Sequence, residues 1–334
     1  MKANLTDSRK KLYILIAALF MLVSAVLNLC MGASGLSLSE LWEALVGGPG
    51  GTVAARILWY VRFPRTFACL LAGSALAVSG AVIQKVLANQ LASPSIIGVN
   101  AGAGLAVTVC CAMGIYYAWA IAGFSFLGAM IATFMVVITG RKSGASRTTV
   151  ILGGVAVSAC LNAMTEAIKT IVPNAATASQ DFRVGGFSSV DQARLLPASI
   201  LIIGGILVVL TLANDLDVLS LGDDTAGALG LKVSLFRNSM LTVAALLAGA
   251  SVSFAGILGF VGLIVPHISR NIVGNDSSEL IPFSIFFGAG FVSACDLISR
   301  LIFSPYELPT GILMSFLGGP FFVWLLLNKK EHSK

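Results

Sequence analysis

Long apolar runs, broken by short polar intervals, set the pattern of this chain. Runs long enough to cross about 30 Å of hydrocarbon fall near residues 12–38, 67–87, 96–113, 118–138, 148–168, 195–213, 239–254, 257–272, 280–298 and 309–327. The pattern predicts an all-α, polytopic membrane protein with ten transmembrane helices. The first run follows a basic flank of Lys2, Arg9, Lys10 and Lys11. It is longer than a signal-peptide core and has no small-residue cleavage site, so it reads as a retained span. The division of the seventh run from the eighth rests on Ala255-Gly256 alone.

One polar interval stands apart from this pattern. Residues 214–237 hold Asp215, Asp217, Asp223 and Asp224, four of the 15 acids of the chain, within ten positions. Ser220-Leu-Gly-Asp223 has the spacing of a capping box, a short Ala- and Leu-rich run follows, and Gly230 sits where a helix C′ glycine would. These signals predict a short helix of about two turns in a polar loop. A structured polar element in a chain made for lipid reads as a docking surface.

Composition agrees with a membrane class. Of 334 residues, 57% are hydrophobic and 11% charged, against roughly a quarter charged in soluble domains. The mean hydropathy is +0.93. The 35 glycines suit close helix packing in lipid. Cys30, Cys69, Cys110, Cys111, Cys160 and Cys295 fall almost entirely inside apolar runs with no CxxC spacing, and read as small core residues. An even number of spans puts both termini on one side. With that side cytoplasmic, inner segments carry fourteen of the 21 Lys and Arg residues and outer segments seven, as the positive-inside rule requires. The 214–237 interval is then cytoplasmic.

No catalytic constellation is visible. The chain has no Gly-Lys dipeptide, hence no phosphate loop of the G-x4-G-K-[ST] form. His267, beside Pro266, lacks a second ligand at helical spacing and reads as a packing or interface residue. Gly98 to Gly104 follow no strand, so they read as helix packing rather than phosphate binding. Charges at span edges are more telling, because each needs a partner or water. Glu166 and Lys169 are three apart and Asp296 and Arg300 four apart, either as local ion pairs or as a vestibule lining and a partner-facing arginine respectively. Arg62 and Arg65 flank Phe63-Pro64 at the outer start of the second span and carry the same two readings.

At these residues the chain resembles a known family. RFPRTFACLLAGSALAVSGAVIQKVLANQLASPSIIGVNAGAG (62–104), LSLGDDTAGALGLKV (219–233), FAGILGFVGLIVPHISRNIVG (254–274) and SRLIFSPYELPTGILMSFLGGPFFVWLLL (299–327) resemble the membrane permeases of ABC importers for ferric siderophores, haem and cobalamin. The resemblance runs in order over nearly all of the chain after about residue 55. It implies one transmembrane permease domain over 1–334, multi-pass in the bacterial cytoplasmic membrane, working with a second copy or a paralogue. Two ATP-binding-cassette ATPase subunits would lie inside and a substrate-binding protein outside. The chain itself would be non-catalytic and hold no cofactor or metal, ATP and Mg being used by the partner ATPase, and no nucleic acid is involved.

Carried over residue by residue, the resemblance makes the interval near 214–237 a coupling loop, with Gly222, Asp223, Asp224, Ala226, Leu229 and Gly230 meeting the ATPase. It makes Arg62, Arg65 and Arg300 the outer grip on acidic residues of the binding protein, as guanidinium forks suit carboxylates. Asn162, Thr165, Glu166 and Lys169 of the fifth span would line the path. The implied function is ATP-driven alternating access for a ferric siderophore, with haem or cobalamin as the alternative cargo. GGFSSV at 185–190 matches the family's external loop only loosely. A self-sufficient secondary transporter is the competing class, but few acids lie deep in any span to carry a coupling ion.

Overall fold

Residues 7–32, 36–142, 147–190, 192–304 and 306–329 are described by a computed structural model, and among them the backbone is helical with no strand. The first apolar run is divided by a local signal. Ser37 Oγ accepts from the Glu40 amide while the Glu40 carboxylate accepts from the Ser37 amide at 2.8 Å, a complete capping box. Helix α1 (Asp7–Cys30) stops short of the expected boundary, and Leu38 opens a separate, capped helix, α2 (Leu38–Gly47).

The second span is longer than expected. α3 (Val53–Ile57), a π-helical turn (Leu58–Arg62) and α4 (Phe63–Val86) form one helical rod of 34 residues. Pro64 accounts for the π turn. It has no N–H to give the Tyr60 carbonyl, and the Phe63 amide reaches back five residues to the Leu58 carbonyl. Arg62 and Arg65 thus lie within the rod rather than on a flank before it.

After a 3-10 turn (Pro94–Ile97), Gly98 takes the left-handed conformation and α5 (Val99–Ala112) begins. The chain continues as α6 (Ala118–Lys142), α7 (Arg147–Ile171), α8 (Pro173–Ala178), α9 (Gln180–Val184), α10 (Gln192–Thr211), α11 (Ala213–Ser220) and α12 (Asp223–Ala228). It ends with α13 (Val233–Ala255), α14 (Val261–Val273), α15 (Ser277–Leu301) and α16 (Thr310–Lys329). Seven helical segments among the described residues are long and apolar enough to cross a membrane, and α5, α14 and α16 supply shorter apolar stretches. Together they account for the ten expected runs. The break after Ala255 is real: Gly256 and Phe260 both have positive φ. At 13 residues α14 spans about 20 Å, less than the bilayer core.

α4 is the centre of the bundle, buried on nearly every side, and packs chiefly on α15 and α13. Its glycines permit this. A Cβ on Gly73 would overlap the Gly288 carbonyl of α15, and one on Gly80 would overlap the Gly262 carbonyl of α14. Gly102 stands in the same relation to Gly128 of α6, so the glycines of 98–104 do serve helix packing. α1, α6, α7 and α10 ring the core and expose large apolar side chains such as Leu19, Phe134, Leu152 and Leu207.

These close contacts make a testable distinction between two helical glycines. Gly73→Val should lower the thermal unfolding midpoint in detergent, by overpacking of about 1–3 kcal/mol or more. Gly204→Ala, on α10 with open space around it, should leave the midpoint unchanged. Equal midpoints for the two variants would count against the glycine-mediated packing.

Candidate functional site

Polar side chains gather at two opposite ends of the bundle. At one end lie α11 and α12, and here two aspartates act as fasteners. Asp217, on α11, accepts from Lys85 Nζ at the end of α4. It also accepts from the Ser277 amide and the Ser277 hydroxyl, each at 2.8 Å, at the start of α15. Asp223 opens α12 and accepts from Arg147 of α7 at 2.9 Å and from Arg237 of α13 at 2.6 Å. Partial burial pushes the Asp223 carboxyl up, but the Arg237 hydrogen bond and the charges of Arg237 and Arg147 outweigh it and hold the carboxyl below its ordinary value.

α12 itself is closed by main-chain bonds. The Leu231 amide donates to the Ala226 carbonyl and the Gly230 amide to the Gly227 carbonyl, with Gly230 at positive φ, a Schellman ending. Gly230 is therefore the C′ glycine that the sequence indicates. The expected start is corrected. Ser220 does not cap α12; it ends α11, its hydroxyl donating to the Asp217 carbonyl at 2.6 Å, and Gly222 takes the N-cap position. α11 continues helical structure almost directly from α10, so the interval holds two helices rather than one.

Of the six residues expected to meet a partner, Asp223, Asp224, Leu229 and Gly230 are exposed, and Gly222 and Gly230 shape the turns at either end. Ala226 is wholly covered by its own chain and cannot be a surface contact. Asp223 remains exposed while tying α12 to Arg147 and Arg237.

At the opposite end Asp296 has no exposed surface. The Arg65 guanidinium grips it through two nitrogens at 3.0 and 3.1 Å and reaches Glu307 at 2.7 Å. Arg300 pairs with Asp296 at 3.3 Å and donates to the Asn28 side-chain carbonyl at 2.5 Å. Thr310 donates to Asp296 at 2.9 Å. Arg62 donates to the Leu29 and Cys30 carbonyls, the open C-terminal end of α1. These bonds bear out the ion-pair reading of Asp296 with Arg300 and give the three arginines partners within the chain. Arg62, Arg65 and Arg300 are each at most 6% exposed, and they brace α1, α4, α15 and the start of α16 from inside. Asp296, which cannot be buried without cations around it, accounts for Arg65 and Arg300, while Arg62 is held by the α1 carbonyls.

The expected path residues separate. Asn162 and Glu166 are exposed on α7, Lys169 is half-buried, and Thr165 is buried with its hydroxyl on the Leu161 carbonyl. Glu166 holds both Lys169 at 2.8 Å and Arg183 of α9 at 3.1 Å. Cys160, expected in the core, is exposed on the same helix. His267 meets Phe321 of α16 edge-on, in keeping with packing. Sequence reasoning missed Asn28, Lys85, Arg147, Ser277 and Glu307. Asn28 and Lys85 carried a signal, each being a polar side chain in or at the end of an apolar run.

Comparison with known proteins gives this arrangement its context. The FecCD transport family matches residues 19–328. The chain is 33% identical to the vitamin B12 import system permease protein BtuC of Klebsiella pneumoniae, covering 98% of this chain and 97% of that protein. It is 34% identical to the Fe(3+)-citrate import system permease protein YfmD of Bacillus subtilis, over 97% and 96% of the two chains. Among solved structures, a metal-chelate type ABC transporter in an inward-facing conformation superposes with a TM-score of 0.84 at 26% identity, covering 94% of this chain and 98% of that one. The helical bundle, its central glycine contacts and this full-length similarity agree: the chain is an ABC importer permease and belongs to the FecCD transport family.

Proposed function

We propose that this chain is the membrane subunit through which a ferric chelate, of the siderophore or citrate type, enters a bacterial cell across the cytoplasmic membrane. A separate ATPase powers it by alternating access. The observation that carries the reading is α12, a short helix fastened to α7 and α13 through Asp223 that presents Asp224 and Leu229 outward. A rigid, exposed knob of this kind suits a cleft on a soluble ATPase. The excess of Lys and Arg among the segments at the α12 end supports a cytoplasmic position for that end. The Arg65 end then faces the binding protein, and Glu307, partly exposed beside Arg65, marks the rim of that face. Likeness to a citrate-iron permease favours an iron chelate, and likeness to a vitamin B12 permease makes cobalamin the second reading.

Proteoliposomes holding the permease with its ATPase, supplied with the external binding protein, separate these readings. Uptake of ferric citrate or a ferric siderophore should need both ATP and the binding protein. Uptake of cobalamin alone from the same panel would reassign the cargo, and uptake without ATP would overturn the class.

Two further outcomes follow from α12. Leu229→Arg should weaken ATPase association at least tenfold, about 1.4 kcal/mol, read by co-purification at fixed salt. The Asp223 ties should also depend on pH. Because the folded carboxyl lies below its ordinary value, its stabilisation is complete above the unfolded value of about 3.9. It is lost as pH falls through the lower folded value. Amide exchange across 223–231 should therefore accelerate only on acidification through that range, and Asp223→Asn should show the faster exchange at neutral pH.

A further inference from the structure

We propose that Asp217 is a positioning residue of the transport cycle, joining the α11–α12 segment to a two-helix strut, α4 with α15, whose far end is the Asp296 cluster. The inference rests on the importer reading above and adds the route by which movement at α12 reaches the opposite face.

α4 and α15 are cross-linked at three levels. At the far end Arg65 of α4 grips Asp296 of α15 with two nitrogens. In the middle Gly73 and Gly288 bring the two backbones together with no side chain between them. At the α12 end Lys85 of α4 and Ser277 of α15 share the Asp217 carboxylate. Arg65 and Lys85 are twenty residues apart, and Ser277 and Asp296 nineteen, about 30 Å along either helix. The clamps therefore sit at opposite sides of a membrane-thick pair. Sliding one helix past the other would separate a buried ion pair at the far end, where an uncompensated charge is strongly unfavourable.

Asp217 is the one residue of the α11–α12 segment in direct hydrogen-bond contact with both strut helices among the bonds described. Its bond to the Ser277 amide is a helix cap made from outside the helix. The residue at α15's own N-cap, Asp276, makes no side-chain capping bond and instead pairs with Lys10 of α1. The first amide of a 25-residue helix is thus held by a carboxylate on α11. A displacement of α11 acts directly on the end of α15 and, through Lys85, on the end of α4. Asp223 makes a different connection, to α7 and α13, so the two aspartates divide the load between the central strut and the peripheral helices.

The test uses the assembled permease and ATPase in proteoliposomes. Asp217→Asn and Lys85→Met should each lower cargo taken up per ATP hydrolysed at least tenfold with ATPase co-purification retained, while Lys85→Arg, which keeps the donor charge, should stay within twofold of wild type. Ser277→Ala, which keeps the backbone bond, should fall between them and serves if the first two fail to insert. A merely structural residue would not move the ratio of uptake to hydrolysis while co-purification is retained. Spin labels at Asn214→Cys and Ile302→Cys, in a Cys160→Ser background, should keep one distance in nucleotide-free and ATP-trapped states, and Asp217→Asn should make that distance depend on nucleotide. An unchanged uptake-to-hydrolysis ratio in both Asp217→Asn and Lys85→Met overturns the proposal. So does a wild-type label distance that changes by more than one helical turn, about 5.4 Å. Absence of ATP-driven uptake in the wild-type chain would instead overturn the importer reading, leaving the label distances to judge the strut.

Discussion

A carboxylate with no solvent-exposed surface must be surrounded by donors, and Asp296 imposes that requirement on everything near it. Two guanidinium groups, a threonine hydroxyl and an asparagine amide converge on it from α1, α4, α15 and the start of α16. Four elements are thereby fixed relative to one another by one buried charge. Substituting hydrophobic groups would pack as well, but would not set the register of four helices so narrowly.

The second constraint is backbone satisfaction where helices break. α14 is too short to cross the bilayer core, and the residues between α13 and α14 leave helical geometry. In lipid their amides and carbonyls would have no partners. α9 and the segment after it meet this need: the Gly186 amide donates to the Ala255 carbonyl and the Ile257 amide to the Phe182 carbonyl. The Gly311 amide at the start of α16 closes the set on the Gly185 carbonyl. Gly185 fits this junction because a side chain there would strike the Ile257 carbonyl. Irregular backbone is thus buried in protein rather than exposed to acyl chains.

These two constraints divide the molecule by mechanical character. α4, α13 and α15 form a core held by glycine contacts and buried ions. α7 and α10 lie outside it with much of their surface uncovered, and α7 carries Asn162 and Glu166 on its exposed side. A polar exposed face on a spanning helix such as α7 is unfavourable against lipid. Its attachment to the α12 end through Arg147 and Asp223 links that face to the same segment that Asp217 ties to the core.

The sequence by itself determined the class and the number of membrane runs, because about twenty apolar residues in a row have few alternatives in water. It also located the polar segment around Asp223 and the C′ glycine at Gly230, since turn chemistry and local spacing are written in neighbouring residues. Long-range pairing lay beyond it. Lys85 and Asp217 are 132 positions apart and Arg65 and Asp296 are 231, and a lone cation in an apolar run does not name its carboxylate. For that reason the sequence left Arg62, Arg65 and Arg300 open between internal ion pairs and partner-facing groups, where the fold buries all three, and Ala226, on the expected contact face, is covered. Side-chain identity set which charges existed; only the packing of α1, α4 and α15 decided which of them water could reach, because burial depends on neighbours that are distant along the chain.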